Sequence, residues 1–391
     1  MNMDKSRTVG RGGRAEVIWM EFCDELKSAG LGALATRTEP DGPIAADTLR
    51  HLVRLLGAAT ELLVQNADPL FPRFSRMSGN GAYLTHEDVS WLLAPVRHGE
   101  EYVVRGNVSG LHDINVSVIC SYPHAARSVG NLGFEELVVA ADGNVEIVLG
   151  GEGRNAITLP EDARYVAIRE YYYDWEHETP HPFSIERRGR ELAAPQRIDL
   201  ETVAAQIGAV PGWIVDYISE FDALKASMSA APLNTIVAPR GSDTGSIHIG
   251  YGWGPFAVGE EEALLIEFEV PQARHWTLQW MVQDLLANPD MVHRVTSVRG
   301  QDAHVDSDGK VRAIASARDP GVRNWLDITG YGAGMLVYRW IRCSNQPEPV
   351  ARVVPFDNLH TQIPSDTPLF TTAERAVQLA VRREHFARLG R

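Results

Sequence analysis

The sequence has little cysteine, and it has no long apolar run. The three cysteines, Cys23, Cys120 and Cys343, lie far apart and form no CxxC pair. Neither a disulfide framework nor a cysteine-rich zinc site is therefore predicted, and the reducing cytoplasm is the expected location. No stretch approaches the roughly 18–20 apolar residues that a membrane span needs, and the N-terminal residues lack the apolar core of a signal peptide. We expect no membrane partner.

Basic residues are outnumbered: 37 Lys and Arg stand against 51 Asp and Glu, a net charge of −14. This excess of negative charge repels phosphate backbones, so no nucleic-acid partner is expected. The glycine-rich stretches 11–13 and 150–153 match neither a P-loop nor a dinucleotide fingerprint, and no cofactor is predicted. Residues 177–181 spell HExxH, but Pro180 prevents the helix that would align His177 and His181, so no metal is predicted either.

Apolar spacing divides the chain into helical and β-rich parts. Helices are predicted over 15–27, 46–65, 200–230 and from 372 onward. Pro211 fits the first turn of a helix, and Thr371 with Glu374 forms a capping box. After about residue 95, and again over 246–354, the apolar period becomes two, which is typical of antiparallel strands.

Short motifs of the first β-rich part return in the second. Asp-Gly at 142–143 and Arg-Asn at 154–155 are repeated at 308–309 and 323–324. Their conserved order at a separation of about 170 residues favours duplication, although chance recurrence of such short motifs is the alternative. We therefore predict a mainly β protein with two related antiparallel β-sandwich or jelly-roll-like modules and a cleft at their junction.

Five segments follow from this interpretation: a helical N-terminal region (1–95), a first β module (96–197), a helical linker (198–230), a second β module (231–358) and a C-terminal helix (359–391). The N-terminal helices are also a candidate surface for homo-oligomerisation.

Several strings resemble a bacterial family of unknown function, the DUF 1214 group. They lie at 65–69, 101–106, 142–149, 169–176 and 318–327, and the resemblance extends from about residue 45 to 355. It implies a β-rich architecture but no settled reaction. Residues 154–157 of this chain are Arg-Asn-Ala-Ile, whereas the family pattern at this place is closer to Asn-Trp-Leu. We therefore expect the first module to lack the aromatic contact that Trp325 supplies in the second.

A strand predicted over 165–176 carries the first candidate site. Tyr172, Asp174 and Glu176 share one of its faces, with successive residues of that face about 6.6 Å apart. Asp174 and Glu176 could then act as an acid/base pair of the kind that glycoside cleavage uses. The alternative is that both carboxylates pair with arginines at a sheet edge or face water.

Further candidates lie in the second module. His275 and Gln279 share one strand face and could orient a bound carbonyl or hydroxyl, with Trp276 on the opposite face. Trp253 lies among glycines. It is either an aromatic platform on which a ligand stacks or a side chain whose packing stabilises a turn. Arg323 could clamp an anion with Asp327 beside it, although the repeated Arg-Asn pair also fits a structural corner.

The sequence therefore predicts a cofactor-independent enzyme, a hydrolase, lyase or isomerase, acting on a small oxygenated or glycosidic compound in an aromatic cleft. The predicted catalytic residues are Asp174, Glu176 and His275, and the predicted binding residues are Tyr172, Trp253, Trp276, Gln279, Arg323 and Asp327. The alternative is a non-catalytic protein that binds carbohydrate or another small ligand.

Overall fold

The computed structural model describes residues 13–36, 42–77, 86–123, 125–189, 194–195, 197–241 and 248–390. Over these ranges the chain is mainly β, with four sheets. The helices are α1 (Arg14–Ala35), α2 (Pro43–Thr60), α3 (Leu200–Ser229) and α4 (Thr372–Arg388). None of the described helices is long and apolar enough to cross a membrane.

The first module consists of two sheets that enclose one apolar core. Its strands are β1 (Ser75–Arg76), β2 (Val89–Pro95), β3 (Tyr102–Asn107), β4 (Asp113–Cys120), β5 (Arg127–Gly133), β6 (Asn144–Leu149), β7 (Ala156–Ile157), β8 (Ala163–Tyr171) and β9 (Ser184–Arg187). One sheet has the order β1-β2-β8-β4-β5 and the other β7-β6-β3-β9. The first sheet thus begins ahead of residue 96, the expected start of the module.

The second module repeats this arrangement. Its strands are β10 (Ile249–Ala257), β11 (Glu262–Glu269), β12 (His275–Met281), β13 (Ser297–Arg299), β14 (Lys310–Ser316), β15 (Trp325–Asp327), β16 (Ala333–Ile341) and β17 (Val350–Pro355). Its sheet orders are β10-β16-β12-β13 and β15-β14-β11-β17. Each strand from β2 to β9 therefore has a counterpart eight strands later in the same place. The prediction of two related β-sandwich modules is confirmed.

The repeated motifs perform the same structural task in both modules. Gly143 and Gly309 have φ of 83° and 80°, a left-handed conformation that glycine adopts without strain. The Asn155 side-chain amide accepts a hydrogen bond from the backbone N–H of Val138 and donates to the backbone carbonyls of Val138 and Glu146. Asn324 makes the same three bonds in the second module. The Arg-Asn pair thus marks a corner that ties a loop to the following strand.

Helix α3 differs from the prediction, because Pro211 lies inside one continuous helix of 30 residues rather than in a first turn. An internal proline costs about 3 kcal/mol. The residues after it, Trp213, Ile214 and Tyr217, are almost completely buried against α2 and the first sheet, and each contributes about 1.5–3 kcal/mol. Burial of this face therefore outweighs the lost helix hydrogen bond. Helices α1 and α2 match the predicted N-terminal helices and pack with α3 as one layer.

Helix α4 joins the two modules. It begins with the predicted capping box, in which Thr371 and Glu374 bond each other's backbone N–H groups. Phe386 enters the core of the first module, while Arg375 forms an ion pair with Asp319 of the second, 3.0 Å away. The helix thus holds both modules at once.

Candidate functional site

A cavity of about 540 Å³ lies between the two modules, with α3 along its third side. Strands β2 and β8 of the first module and β10 and β16 of the second contribute to its walls. The lining includes a set of aromatic side chains: Trp91, Tyr122, Tyr171, Tyr217, Phe221, Tyr251 and Trp253. Beside it, Val89 and Tyr171 pack against Ile249 and Ile341 across the junction. The shape of the cavity therefore depends on both modules.

Each module contributes one buried arginine to this cavity. Arg169 of β8 pairs with Trp91 of β2, and Arg339 of β16 pairs with Tyr251 of β10. Because β8 and β16 occupy the same place in the duplicated fold, the two arginines are structural equivalents. They are only 6 % and 5 % exposed.

Neutral groups hold the guanidinium of Arg169. It donates from Nη1 to Asn115 Oδ1 at 2.8 Å and to Ser117 Oγ at 3.3 Å. Its charge lies 4.4 Å from the centre of the Trp91 ring. These contacts orient a cation without neutralising it.

Gln279, a predicted binding residue, supports the second arginine. Its Oε1 accepts from Arg339 Nη1 at 3.0 Å, and its amide N–H donates to Asn288 at 3.0 Å. Burial lowers the pKa of Arg339, because the charged form loses its hydration. Gln279 is fully buried beneath the cavity wall, where it orients a side chain that lines the cavity.

A buried charge cluster adjoins the cavity at His86, which forms part of its lining. Asp88 Oδ2 lies 2.9 Å from His275 Nε2, and Asp88 Oδ1 accepts from Arg299 Nη1 at 3.1 Å. Burial alone raises the pKa of Asp88, but its electrostatic interactions with His275 and Arg299 outweigh burial and hold that pKa well below its usual range. Asp88 thus joins the first module to the β12 and β13 strands of the second.

The same cluster contains the side chains with the chemistry of a metal site. In the described part of the chain, His86, Asp88 and His275 form a group whose ligand atoms lie within 4.8 Å of one another. Two imidazoles and a carboxylate suit a transition metal. However, Arg299 already gives Asp88 a cationic partner, so the contacts are also explained without an ion. The sequence analysis predicted no metal and did not single out His86 or Asp88.

Besides Gln279, two of the predicted residues lie at or beside the cavity. Trp253 is part of its wall, and the guanidinium of Arg240 lies 3.9 Å from the centre of its ring. His275 is fully buried behind His86, with 5.5 Å between the ring centres. Trp253 can therefore contact a ligand directly, whereas His275 acts through its neighbours.

The predicted pair Asp174 and Glu176 does not lie at the cavity, because the strand that should carry it is shorter than predicted. Strand β8 ends at Tyr171, where its pairing with both β2 and β4 stops. In the turn that follows, Trp175 enters the core and stacks on His385 of α4, with ring centres 4.3 Å apart. Asp174 instead binds exposed His177 at 2.9 Å, and Glu176 faces solvent.

Tyr172 and Trp276 are core residues. The Tyr172 ring is fully buried in the first module, and its hydroxyl donates to Glu170 Oε2 at 3.0 Å. Trp276 packs edge-on against Trp340 between the sheets of the second module. Neither lines the cavity.

Arg323 and Asp327 lie near the outer strand β15, away from the cavity. Arg323 donates to the carbonyl of Asp302 and faces the ring of Phe370. Asp327 accepts from Arg294 at 3.4 Å and from the Thr329 hydroxyl at 2.6 Å. Both side chains therefore stabilise the corner that the repeated motif forms.

Sequence analysis missed the two arginines at the cavity. Arg339 is the one charged residue among the apolar and aromatic residues of 333–341, and Arg169 directly follows the apolar and aromatic run 165–168. Such a residue in the central part of a sheet is a signal of a buried polar site.

The fold and its cavity define a tandem β-sandwich protein. No family model and no curated protein matches the chain. An uncharacterised protein from Burkholderia cenocepacia has a similar crystal structure, with 25 % sequence identity, a TM-score of 0.77, and coverage of 88 % of this chain and 99 % of that one. The VPA0106 protein from Vibrio parahaemolyticus is 11 % identical, with a TM-score of 0.46 over 78 % of this chain and 97 % of its own. These comparisons give no activity.

Proposed function

We propose that the protein binds a small, mainly apolar molecule in the cavity between its two β modules. The observation that carries this proposal is the aromatic lining of a 540 Å³ space, to which both modules contribute. Ligand sites typically enclose about 300–1,000 Å³ and combine apolar walls with a few polar groups. Trp253 then serves as the aromatic platform, and small-ligand binding replaces carbohydrate binding as the favoured form of this function.

A neutral fluorescent probe tests the proposal. N-phenyl naphthylamine becomes brightly fluorescent when it leaves water for an apolar site, and we expect it to bind the purified protein with one saturable site. Ala223 lies on α3 at the cavity, so Ala223→Trp should fill the space and abolish binding. Ala226 is an exposed residue of the same helix that does not line this cavity, and Ala226→Trp is the matched control. Equal binding to both variants would contradict the proposal.

The second candidate is a cofactor-independent enzyme, a hydrolase, lyase or isomerase. It is favoured by the position of His86, a titratable side chain that lines the cavity and accepts the backbone N–H of Asp88 at Nδ1, 3.1 Å away. His86 is better placed for proton transfer to a ligand than Asp174 or Glu176. Incubation with compounds that displace the probe should reveal turnover by product analysis. His86→Gln should abolish this turnover but retain probe binding, whereas retained turnover would exclude His86 as the catalytic group.

Two further expectations stay predictions from the sequence. They are the resemblance to the DUF 1214 group and the cytoplasmic location.

A further inference from the structure

We infer that the ligand of the intermodule cavity is an apolar carboxylic acid, whose carboxylate is held by Arg169 and Arg339. This inference rests on the proposed binding function and adds the chemical class of the ligand. Both guanidinium groups line the same cavity as the aromatic walls. An apolar body with one anionic end is the molecule that matches both features.

The duplicated fold places these two cations in the lining of one cavity. Arg169 and Arg339 have equivalent positions on β8 and β16. Strand β8 lies between β2 and β4 in the first module, and β16 lies between the equivalent strands β10 and β12 in the second. Their neighbours on β2 and β10 are aromatic in both modules, Trp91 and Tyr251. Both modules therefore contribute the same pair of features to the cavity lining, a guanidinium beside an aromatic ring.

Burial makes the charge of Arg169 costly unless an anion meets it. Within the part of the chain that the structure describes, its hydrogen-bond acceptors are an amide and a hydroxyl oxygen. Both bonds come from Nη1, so Nη2 can donate to a ligand oxygen. Charged groups away from water are stabilised by charge-assisted hydrogen bonds, and guanidinium with carboxylate is a strong pair of this kind.

The remaining charges near the cavity favour a ligand with a single negative charge. Arg127, a third arginine of the lining, already has its own partner, Asp162, at 2.6 Å. Glu220 of α3, an acidic residue, also belongs to the lining. A dianionic phosphate would bring a larger desolvation cost into a mostly apolar space than a carboxylate does.

Competition between ligands of one chain length tests the head group. Decanoic acid, decanol and decyl phosphate share the same alkyl body, and each is titrated against bound N-phenyl naphthylamine at neutral pH. Decanoic acid should displace the probe at concentrations about tenfold or more below those of decanol, since hydrogen bonds to a charged group are the stronger ones. Equal potency of decanol would overturn the inference but leave the binding function standing. Higher potency of decyl phosphate would overturn the choice of carboxylate. Absence of probe binding would instead contradict the proposed function.

Substitutions identify the groups responsible. Arg169→Met and Arg339→Met should each reduce the preference for acid over alcohol by about tenfold while decanol still displaces the probe, which also shows that the cavity is intact. Arg105 is an exposed arginine on β3, and Arg105→Met changes the net charge equally but should leave the preference unchanged. If a methionine variant does not fold, Arg169→Lys retains the charge and should retain most of the preference. An unchanged preference in folded Arg169→Met and Arg339→Met would refute the assignment.

Discussion

Asp88→Asn tests whether the buried charge cluster holds the two modules together. The wild-type carboxylate is completely buried between His275 and Arg299 of the second module. Asparagine keeps the shape of the side chain but removes its charge. The Arg299 cation therefore stays in place but loses one of its two anionic partners. The partner that remains is Asp302, 3.1 Å away.

The expected cost follows from this remaining contact. Loss of one partner from a buried ion pair typically costs about 3–5 kcal/mol. Because Arg299 keeps Asp302 and also lies 3.5 Å from the centre of the Trp175 ring, we expect the lower end, about 3 kcal/mol. For 391 residues and an unfolding entropy of about 2.1 cal/mol/K per residue, this loss lowers Tm by roughly 4 °C.

Urea unfolding followed by tryptophan fluorescence measures the change at neutral pH. Asp174→Asn is the matched control, because Asp174 forms an exposed pair with His177 and such pairs contribute less than about 1 kcal/mol. Equal costs for the two substitutions would refute the role of Asp88.

The effect should also depend on pH with a defined sign. The pKa of Asp88 is lower in the folded protein than its unfolded value of about 3.9. Its contribution is therefore fully present above that value and is lost as the pH falls below it. The difference in unfolding free energy between wild type and Asp88→Asn should thus shrink below about pH 4, and a constant difference would contradict the ion-pair explanation.

Three further predictions concern the stability of the fold, and urea unfolding measures each of them. Gly254→Ala should lower the free energy of unfolding in urea by about 1–3 kcal/mol, because the added Cβ clashes with the backbone carbonyl of Thr235 and no rotamer change can relieve this clash. An unchanged urea midpoint would contradict this close approach. Asn324→Ala removes three hydrogen bonds from a buried corner and should cost about 2–3 kcal/mol, more than Asn155→Ala at the more exposed equivalent corner. The reverse order would refute our explanation of the repeat. Thr371→Ala should destabilise α4 by about 1 kcal/mol through loss of its cap, whereas Thr371→Ser should be nearly neutral.

The sequence by itself determined the local elements and the duplication. Strands with a period of two, the capping box at Thr371 and the repeated Asp-Gly and Arg-Asn motifs depend on contacts between near neighbours, and all are present in the structure. Trp253 could also be proposed as a platform, because glycines on both sides of it permit close packing of the backbone.

Only the tertiary structure decided which side chains meet at the cavity. Periodicity shows that one face of a strand is buried but does not show what packs against that face. Arg169 and Arg339 line the same cavity because two modules that are distant in sequence both contribute to its walls. Trp175 turns Asp174 and Glu176 away from the cavity because α4 binds it from the end of the chain. These contacts join residues that are far apart in sequence, and their packing free energy overrides the local pattern that predicted a longer strand.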